Sequence, residues 1–576
     1  MTRKSLLLLG YTLVLGLVLS ACSGGKTTTT LRLIHTTDVH GNLFPEDHIN
    51  QRAGTGSMAR LAEMMRQVRE QEPNVLLLDG GDFLQGEPIT YFSNYIDTLS
   101  PNAVSSAMNY LKYDAAVIGN HDIEPGHSVY DKFVREAKFP VLGANALVEG
   151  SDKSYFEPYK VFELSGVRVA VLGLVTPAIP QWLPKHLYEG MEFQDIIESA
   201  QIWVPRILEK EQPDLMVALI HSGLTNDNES YMENAGEALS TAVAGIDIIL
   251  MGHDHRQTNK WIKRSERDSV LLINPANHLD FVSDLSITIT KDGDKTAKHI
   301  TATLHDLNQY QPDADFLKTF AREAEGVQGF LDKRIGLIDA PVVAADALFG
   351  PSTYMNVVHQ MQMYTVGAEL SFAAPLSLSA ELAAGDVYVR DLFKFCPFSN
   401  HLYVMELTGA EIKGYLEHSY AGWTEQMTSR EGHLIKFRPD AQPTDRYKTL
   451  VPTFNYSAAH GIDYTVDVTK PAGERINIQQ MSSGEPFSLD RRYRVAINSY
   501  RAGGAGGMLT LGSGIDKADL SGRIVGSSEL DQFFSLMKFF EVKGVVSPVE
   551  AGNWSFLPEA WVQEAAERDR AFLFAK

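Results

Sequence analysis

The sequence predicts an α/β protein built from two layered domains. Three observations lead there. At 576 residues the chain is too long for one hydrophobic core. From Leu31 to about residue 310, apolar runs that read as strands alternate with stretches of helical spacing. Five of those runs also share one form, an apolar strand followed at once by Asp, His or Asn. They are Leu31–Ile34 before Asp38 and His40, Val75–Leu78 before Asp82, Ala115–Ile118 before Asn120 and His121, Leu215–Ile220 before His221, and Ile248–Met251 before His253 and His255. Ligands of open α/β sheets bind outside the carboxyl ends of the strands, so these side chains are expected to meet in one cleft.

At the N-terminus, Arg3 and Lys4 precede the apolar run Leu6–Leu19, which ends in Leu19-Ser20-Ala21-Cys22. A charged start, a short core and small residues at the end describe a signal peptide over residues 1–21. The ending resembles a bacterial lipobox, which makes Cys22 the lipidated first residue of an exported, membrane-anchored chain on the periplasmic face or the cell surface. Residues 22–30 then form a polar tether. No other stretch is long and apolar enough to cross a bilayer.

Residues 31–312 are expected to form the first domain. Ser57 is a suitable N-cap for a helix through Met58, Leu61, Met64, Met65 and Val68. Asp195 can cap a second helix from Ile196 to about Leu208, with a kink or an early end at Pro205. A polar, amphipathic helix at 313–334 should join the halves. Residues 335–576 form the second domain, with strands at Leu402–Leu407, Tyr464–Val468 and Arg494–Ile497 and a helix at Glu411–Tyr420.

Apolar content of 44% and charged content of 21% are ordinary for a globular protein. The formal net charge of −21 argues against tight binding of a nucleic-acid polymer. A local metal-lined cleft can still hold a single nucleotide. With Cys22 lipidated, Cys396 has no partner in the chain, and packing is its expected role.

Asp38, His40, Asp82, Asn120, His121, His221, His253 and His255 in one cleft suit two divalent metals sharing a bridge, the apparatus of metal-assisted phosphoester hydrolysis. Side chains at i and i+2 of extended chain share a side, so Asp38 and His40 can grip one ion. Gly80-Gly81 lets the chain turn tightly and bring Asp82 close. Carboxylate, imidazole and amide oxygen together favour Zn, Mn or Fe over Ca²⁺. A lone His or Asp after a strand means little; the weight lies in all the pieces occurring together.

At these residues the chain resembles a known family. Asp38-Val39-His40-Gly41, Gly81-Asp82, Gly119-Asn120-His121-Asp122, His221-Ser222-Gly223 and Gly252-His253-Asp254-His255 resemble the five blocks of the calcineurin-like metallophosphoesterases. The second half resembles the C-terminal domain of the bacterial 5′-nucleotidase family, which includes 2′,3′-cyclic-nucleotide phosphodiesterases that are also 3′-nucleotidases. The resemblance implies an N-terminal metallophosphoesterase domain, its sheets sandwiched by helices, and a C-terminal α/β domain that binds the nucleoside. It implies Asp38, His40, Asp82 and His255 around one divalent metal, and Asp82, Asn120, His221 and His253 around the other. His121 matches the catalytic histidine, oriented by Glu124 where the family usually has Asp. Asp122 is expected to be structural.

Base recognition is expected from the second domain. Tyr500 in Asn498-Ser499-Tyr500-Arg501-Ala502-Gly503-Gly504 resembles one aromatic loop of the family. Tyr456 in Phe454-Asn455-Tyr456 resembles the other, with Phe454 as its alternative, and Asn400 matches a position near the nucleoside. Many 5′-nucleotidases carry Gly-Gly-Gly-x-Arg early in this domain. Here the stretch reads Ser371-Phe372-Ala373-Ala374-Pro375-Leu376, and with Glu233-Asn234-Ala235 it resembles the cyclic-nucleotide branch. The expected activity is therefore 2′,3′-cyclic-nucleotide 2′-phosphodiesterase and 3′-nucleotidase. The alternatives are 5′-nucleotidase, a surface binding module without catalysis, and a relative of the sulfur-oxidation hydrolases. With metals on one domain and the base pocket on the other, substrate lies between them, and domain closure would assemble the site.

Overall fold

The structure is a computed structural model that describes residues 26–225, 232–266, 268–293, 295–396, 400–445, 448–548 and 552–575. The signal-peptide and Cys22 expectations lie outside the described residues. No described helix is long and apolar enough to cross a membrane.

Two six-stranded sheets pack face to face in the N-terminal domain. One orders Lys295–Asp306, Phe281–Asp292, Thr27–Thr36, Val75–Asp79, Ala115–Val117 and Val141–Leu142. The other orders Gln257–Ser265, Asp268–Pro275, Ile248–Met251, Leu215–His221, Val167–Val175 and Tyr159–Leu164. The alternation of side chains along each strand divides their apolar residues between two cores. Leu33, Leu76, Leu78 and Val117 meet Val169, Val217, Leu219 and Leu250 between the sheets. Their neighbours Ile34, Leu77 and Ala116 face outward onto the helices Met58–Gln71, Ala103–Leu111 and His127–Glu136. On the far side, Leu172, Met216, Ala218 and Ile249 pack against Ile196–Glu211 and Gly236–Ala242. Strands buried on both faces need continuous apolar runs, which is why these segments read so plainly.

All five expected strands are present and lead into the expected ligands. Thr27–Thr36, Val75–Asp79 and Ala115–Val117 run parallel as neighbours in one sheet. Leu215–His221 and Ile248–Met251 run parallel in the other. The five carboxyl ends thus come from two stacked sheets rather than from one.

Ser57 caps its helix, its hydroxyl accepting from Arg60 N at 3.3 Å. Asp195 accepts from Ile197 N and Glu198 N. The helix it opens does not stop at Pro205 but continues to Glu211. Pro205 and Gln201 are both exposed, so the carbonyl that loses its i+4 donor can bond water. The joining helix is two helices, Ala314–Thr319 and Ala321–Leu331, divided at Phe320, which leaves helical geometry (φ −103°, ψ 18°).

In the C-terminal region a five-stranded mixed sheet orders Ala458–His460, Leu370–Ala373, Arg492–Asn498, His401–Thr408 and Ile524–Asp531. The expected helix runs longer, Gly409–Trp423, and starts with a capping box between Thr408 and Glu411. Its C-terminal turn supplies the centre of this core. Trp423 stacks on Tyr420 (4.8 Å, 10°) and on Tyr456 (5.1 Å, 8°). Its indole N–H donates to Leu348 O at 3.0 Å. Cys396 is buried.

One apolar cluster runs through both regions. Tyr91 of the first packs against Phe330 of the joining helix and against Phe393, Phe533 and Phe534 of the second.

Trp423→Ala should lower unfolding free energy by about 3–5 kcal/mol in denaturant titration, the usual cost of emptying a large aromatic site. A loss below about 1 kcal/mol would show that the stack is dispensable.

Candidate active site

The candidate ligands fall into two groups, each with its donor atoms within 4.8 Å of one another: Asp38, His40 and His255; Asp82, His221 and His253. In the first, His40 Nε2 lies 3.1 Å from His255 Nε2, and His255 Nε2 lies 3.1 Å from Asp38 Oδ1. In the second, His221 Nε2 is 3.0 Å from Asp82 Oδ2 and 3.1 Å from Asn120 Oδ1. All seven candidates are therefore brought together.

Five of the seven have left-handed backbone: Asp38 (φ 49°), His40 (46°), Asp82 (60°), His253 (74°) and His255 (54°). The expectation of extended geometry at Asp38/His40 is therefore wrong. Asp38 and His40 meet through a turn, and His253 and His255 belong to different groups. Side chains other than Gly, Asn and Asp rarely adopt this conformation, and it gathers at sites where surrounding structure holds it.

Much of that surrounding structure is one carboxylate. Asp122 Oδ1 accepts from Phe83 N (2.7 Å) and Leu84 N (2.8 Å). Its Oδ2 accepts from Asp82 N (2.9 Å) and Gly119 N (2.8 Å). It therefore ties the Asp82 loop to the Asn120–His121 loop, the structural duty expected of it. Asp82 Oδ1 closes the link by accepting from His121 N at 2.8 Å.

The donor chemistry fits divalent metals. A carbonyl can only accept, so His221 Nδ1 must donate to Gly80 O (2.7 Å) and His40 Nδ1 to Gln85 O (2.9 Å). Both Nε2 atoms then turn toward the carboxylates, with the tautomer set from outside the ligand shell. Glu233 Oε1 accepts from His253 Nε2 at 3.1 Å, which leaves Nδ1 for a metal. Burial lowers His40 to about 3. Burial would lower His221 as well, but the Asp82 carboxylate overrides it and pushes the group up to about 10.

His121 stands beside both groups without joining either. Its Nδ1 donates to Glu124 Oε2 at 2.5 Å, so the longer Glu side chain makes the dyad directly. Burial works against its protonation, while the Asp82 and Glu124 carboxylates push it up to about 9. Asn120, His121, Glu124 and His253 open into a cleft of about 410 Å³ between the two regions.

Tyr500, Phe454, Asn400 and His401 line the opposite wall of that cleft. Tyr456 does not. It is fully buried against Trp423, and Phe454, two residues earlier, takes the place expected of it. Phe454 and Tyr500 lie 6.1 Å apart at 81°. The buried Arg501 binds their loops to each other. It donates to Phe454 O (2.5 Å), Asn455 Oδ1 (2.6 Å) and Ala505 O (2.7 Å), and its guanidinium lies 5.1 Å from the Tyr500 ring. Asn400 accepts from Ser499 Oγ at 3.4 Å. Sequence reasoning did not find Trp182, which stacks on His253 (5.6 Å, 29°) and lines the cleft, nor Asp531, which lines it as well. A lone Trp in Ile179-Pro180-Gln181-Trp182 carries no spacing signal. Asp531 precedes a helix and reads as its N-cap.

Residues 31–257 match the family model of the calcineurin-like phosphoesterases, and residues 334–512 match that of the 5′-nucleotidase C-terminal domain. The chain belongs to this two-domain metallophosphoesterase family. It is 26% identical over 589 residues to the trifunctional nucleotide phosphoesterase protein YfkN of Bacillus subtilis, which covers 92% of this chain but only 39% of that longer protein. It is 27% identical over 636 residues to the 2′,3′-cyclic-nucleotide 2′-phosphodiesterase/3′-nucleotidase of Haemophilus influenzae, covering 97% and 92% of the two chains. The structure of a 5′-nucleotidase precursor from Thermus thermophilus superposes with a TM-score of 0.61 at 23% identity, over 92% of this chain and all of that one, and so shares the fold. As a member, the phosphoesterase is a metal-dependent phosphoric ester hydrolase.

Asp122→Ala leaves four backbone N–H groups without their acceptor, at about 1–3 kcal/mol for each one left buried. The variant should lose at least one equivalent of bound metal by elemental analysis and at least about 3 kcal/mol of stability in denaturant titration. Full metal content at wild-type stability would show that Asp122 does not hold the loops.

Proposed function

We propose that this phosphoesterase is an exported 2′,3′-cyclic-nucleotide 2′-phosphodiesterase and 3′-nucleotidase, tethered to a bacterial membrane by a lipid on Cys22. One observation carries the nucleotide reading. The second ligand group through Asn120 and His253, the His121–Glu124 dyad and the Phe454–Tyr500 pair face a single interdomain cleft, and the first ligand group lies directly behind, with His40 5.6 Å from the His121 ring. Ser371–Leu376 and the Haemophilus influenzae relative support the cyclic and 3′ branch. A second reading, 5′-nucleotidase, is favoured by the protein of that name in Vibrio cholerae, 23% identical over 519 residues.

Asp38, His40, Asp82 and His255 would hold one divalent ion and Asp82, Asn120, His221 and His253 the other, with Asp82 shared, Zn, Mn or Fe by their donors. When bound, such a pair supplies an activated water and positive charge for the phosphoryl oxygens. The protein's own groups do the rest. Glu124 fixes the His121 ring and keeps Nδ1 protonated, which directs Nε2 to the cleft. Protonated His121 donates to a phosphoryl oxygen or to the leaving oxygen as charge builds there. The Phe454 and Tyr500 rings give the base an apolar wall, held in place by Arg501. Trp182 closes the cleft beside His253 and keeps water from the reacting end. The intact dyad and both intact ligand groups weigh against a binding module without catalysis, and the ring pair weighs against a non-nucleotide ester.

The chain from residue 26 onward, supplied with Mn²⁺ or Zn²⁺, should turn over 2′,3′-cyclic AMP and 3′-AMP with kcat/KM at least about tenfold above 5′-AMP, a difference of about 1.4 kcal/mol. Dominant 5′-AMP turnover would move the enzyme to the second reading. Turnover of none of the three, with metals bound, would exclude both.

His121→Asn should lower kcat by about 10²–10⁴-fold with little change in metal content, as loss of a general acid does. Arg501→Lys should raise KM about tenfold and leave kcat within about twofold, since it loosens uniform binding of the base. An unchanged KM would show that the brace does not set the rings.

A further inference from the structure

The cleft is equipped for phosphate at one end only. Asn120 and His253 of the second ligand group and His121 occupy that end. Beyond it the lining residues include Trp182, Leu376, Asn400, Phe454, Tyr500 and Asp531. None of the described lining residues is Lys or Arg. The two undescribed stretches beside them in sequence, residues 226–231 and 397–399, contain neither residue type. Nearby cations are already engaged. Arg501 is buried behind Tyr500, with its donors on Phe454 O, Asn455 and Ala505 O. Lys517 donates to Gln181 Oε1.

Carboxylates line the cleft instead. Glu233 stands beside His253. Asp531 Oδ1 accepts from Phe534 N at 2.8 Å, and Asp531 lines the cleft within reach of the Glu124 charge. A phosphate carries about 1.5–2 negative charges at pH 7 and is normally received by Arg, Lys or clustered N–H donors. A second phosphate on the ligand would meet aromatic rings, Leu376 and Asp531.

We propose that the enzyme accepts nucleotides with one phosphate, held at the metal end, and rejects those with a second phosphate elsewhere on the molecule. This rests on the nucleotide reading above and narrows it to singly phosphorylated or cyclic nucleosides. The rejection comes from missing cations together with Asp531, not from lack of room.

Adenosine 3′,5′-bisphosphate is the discriminating probe, because it offers a phosphate to the metals from either end of the ribose. Steady-state kinetics of the metal-loaded chain from residue 26 should give a kcat/KM for it about 100-fold below the better of 3′-AMP and 5′-AMP, an effect typical of an unpaired charge forced into a site. Leu376→Arg places a cation on the wall and should narrow that ratio about tenfold by raising bisphosphate turnover. Asp531→Asn, which retains a competent helix cap, should narrow it about threefold and serves if the arginine variant does not fold. A wild-type ratio within about threefold overturns this proposal and leaves the nucleotide reading standing. A ratio unmoved in both folded variants overturns its electrostatic cause. No turnover of either monophosphate or of 2′,3′-cyclic AMP removes the nucleotide reading and this proposal together.

Discussion

The metal centre depends on a carboxylate that ligates nothing. Asp122 gathers four backbone N–H groups from two loops that lead out of different strands. One loop carries Asp82, the other Asn120 and His121. Their relative placement sets where the second ligand group and the dyad stand with respect to each other. Burial and the nearby Asp82 carboxylate push Asp122 up to about 7, while its N–H partners pull the other way. Cations in the centre would offset the Asp82 charge and so favour the ionised form that accepts all four bonds. Loop geometry and metal binding are in this way mutually supporting.

The same reasoning explains why the ligand loops tolerate strained backbone. Five ligands at positive φ cost on the order of 1–3 kcal/mol each. A free loop would relax. These loops leave strands buried on both faces, and their ends are pinned. Asp38 N donates to Gly81 O at 2.8 Å, His40 N to Asp82 O at 2.9 Å, and His253 N to Asp38 Oδ2 at 3.0 Å. Each ligand loop is therefore hydrogen-bonded to the next. Glycine keeps the crossing possible. A Cβ on Gly119 would lie 2.1 Å from Asp82 Oδ1, and one on Gly252 2.8 Å from Asp38 Oδ2.

The strands, the ligands and the dyad were legible because their signals are local. A strand buried on both faces needs an unbroken apolar run, and each ligand follows its run within a few residues. What was not legible depended on residues distant in the chain. Tyr456 and Phe454 lie two positions apart, and both are aromatic. Which one turns inward is decided by Trp423, whose face Tyr456 covers. Arg501 reads as a surface charge until the carbonyl of Phe454 is placed beside it. Trp182 acquires a role only through its stack on His253. Pro205 allowed a kink or an early end, and that the helix runs on to Glu211 depends on its exposure, which the local pattern does not carry.

The contact between the two regions differs in kind from the contacts within the metal centre. At the centre, charges and hydrogen bonds fix direction to within tenths of an ångström. Between the regions, Tyr91 lies among Phe330, Phe393, Phe533 and Phe534. The apolar burial in such contacts is non-directional and roughly proportional to area, so it holds the halves together without setting one exact angle. The cluster also reaches the cleft. Tyr91 donates its hydroxyl to Asp531 Oδ1 at 3.5 Å, and Asp531 begins the helix that carries Phe533 and Phe534. A movement of the second region about this apolar joint would carry Asp531 with it, and with it the charge presented to the cleft. Selection of substrate and adjustment of the cleft thus share a residue, and a rigid, polar interface at this position would separate them.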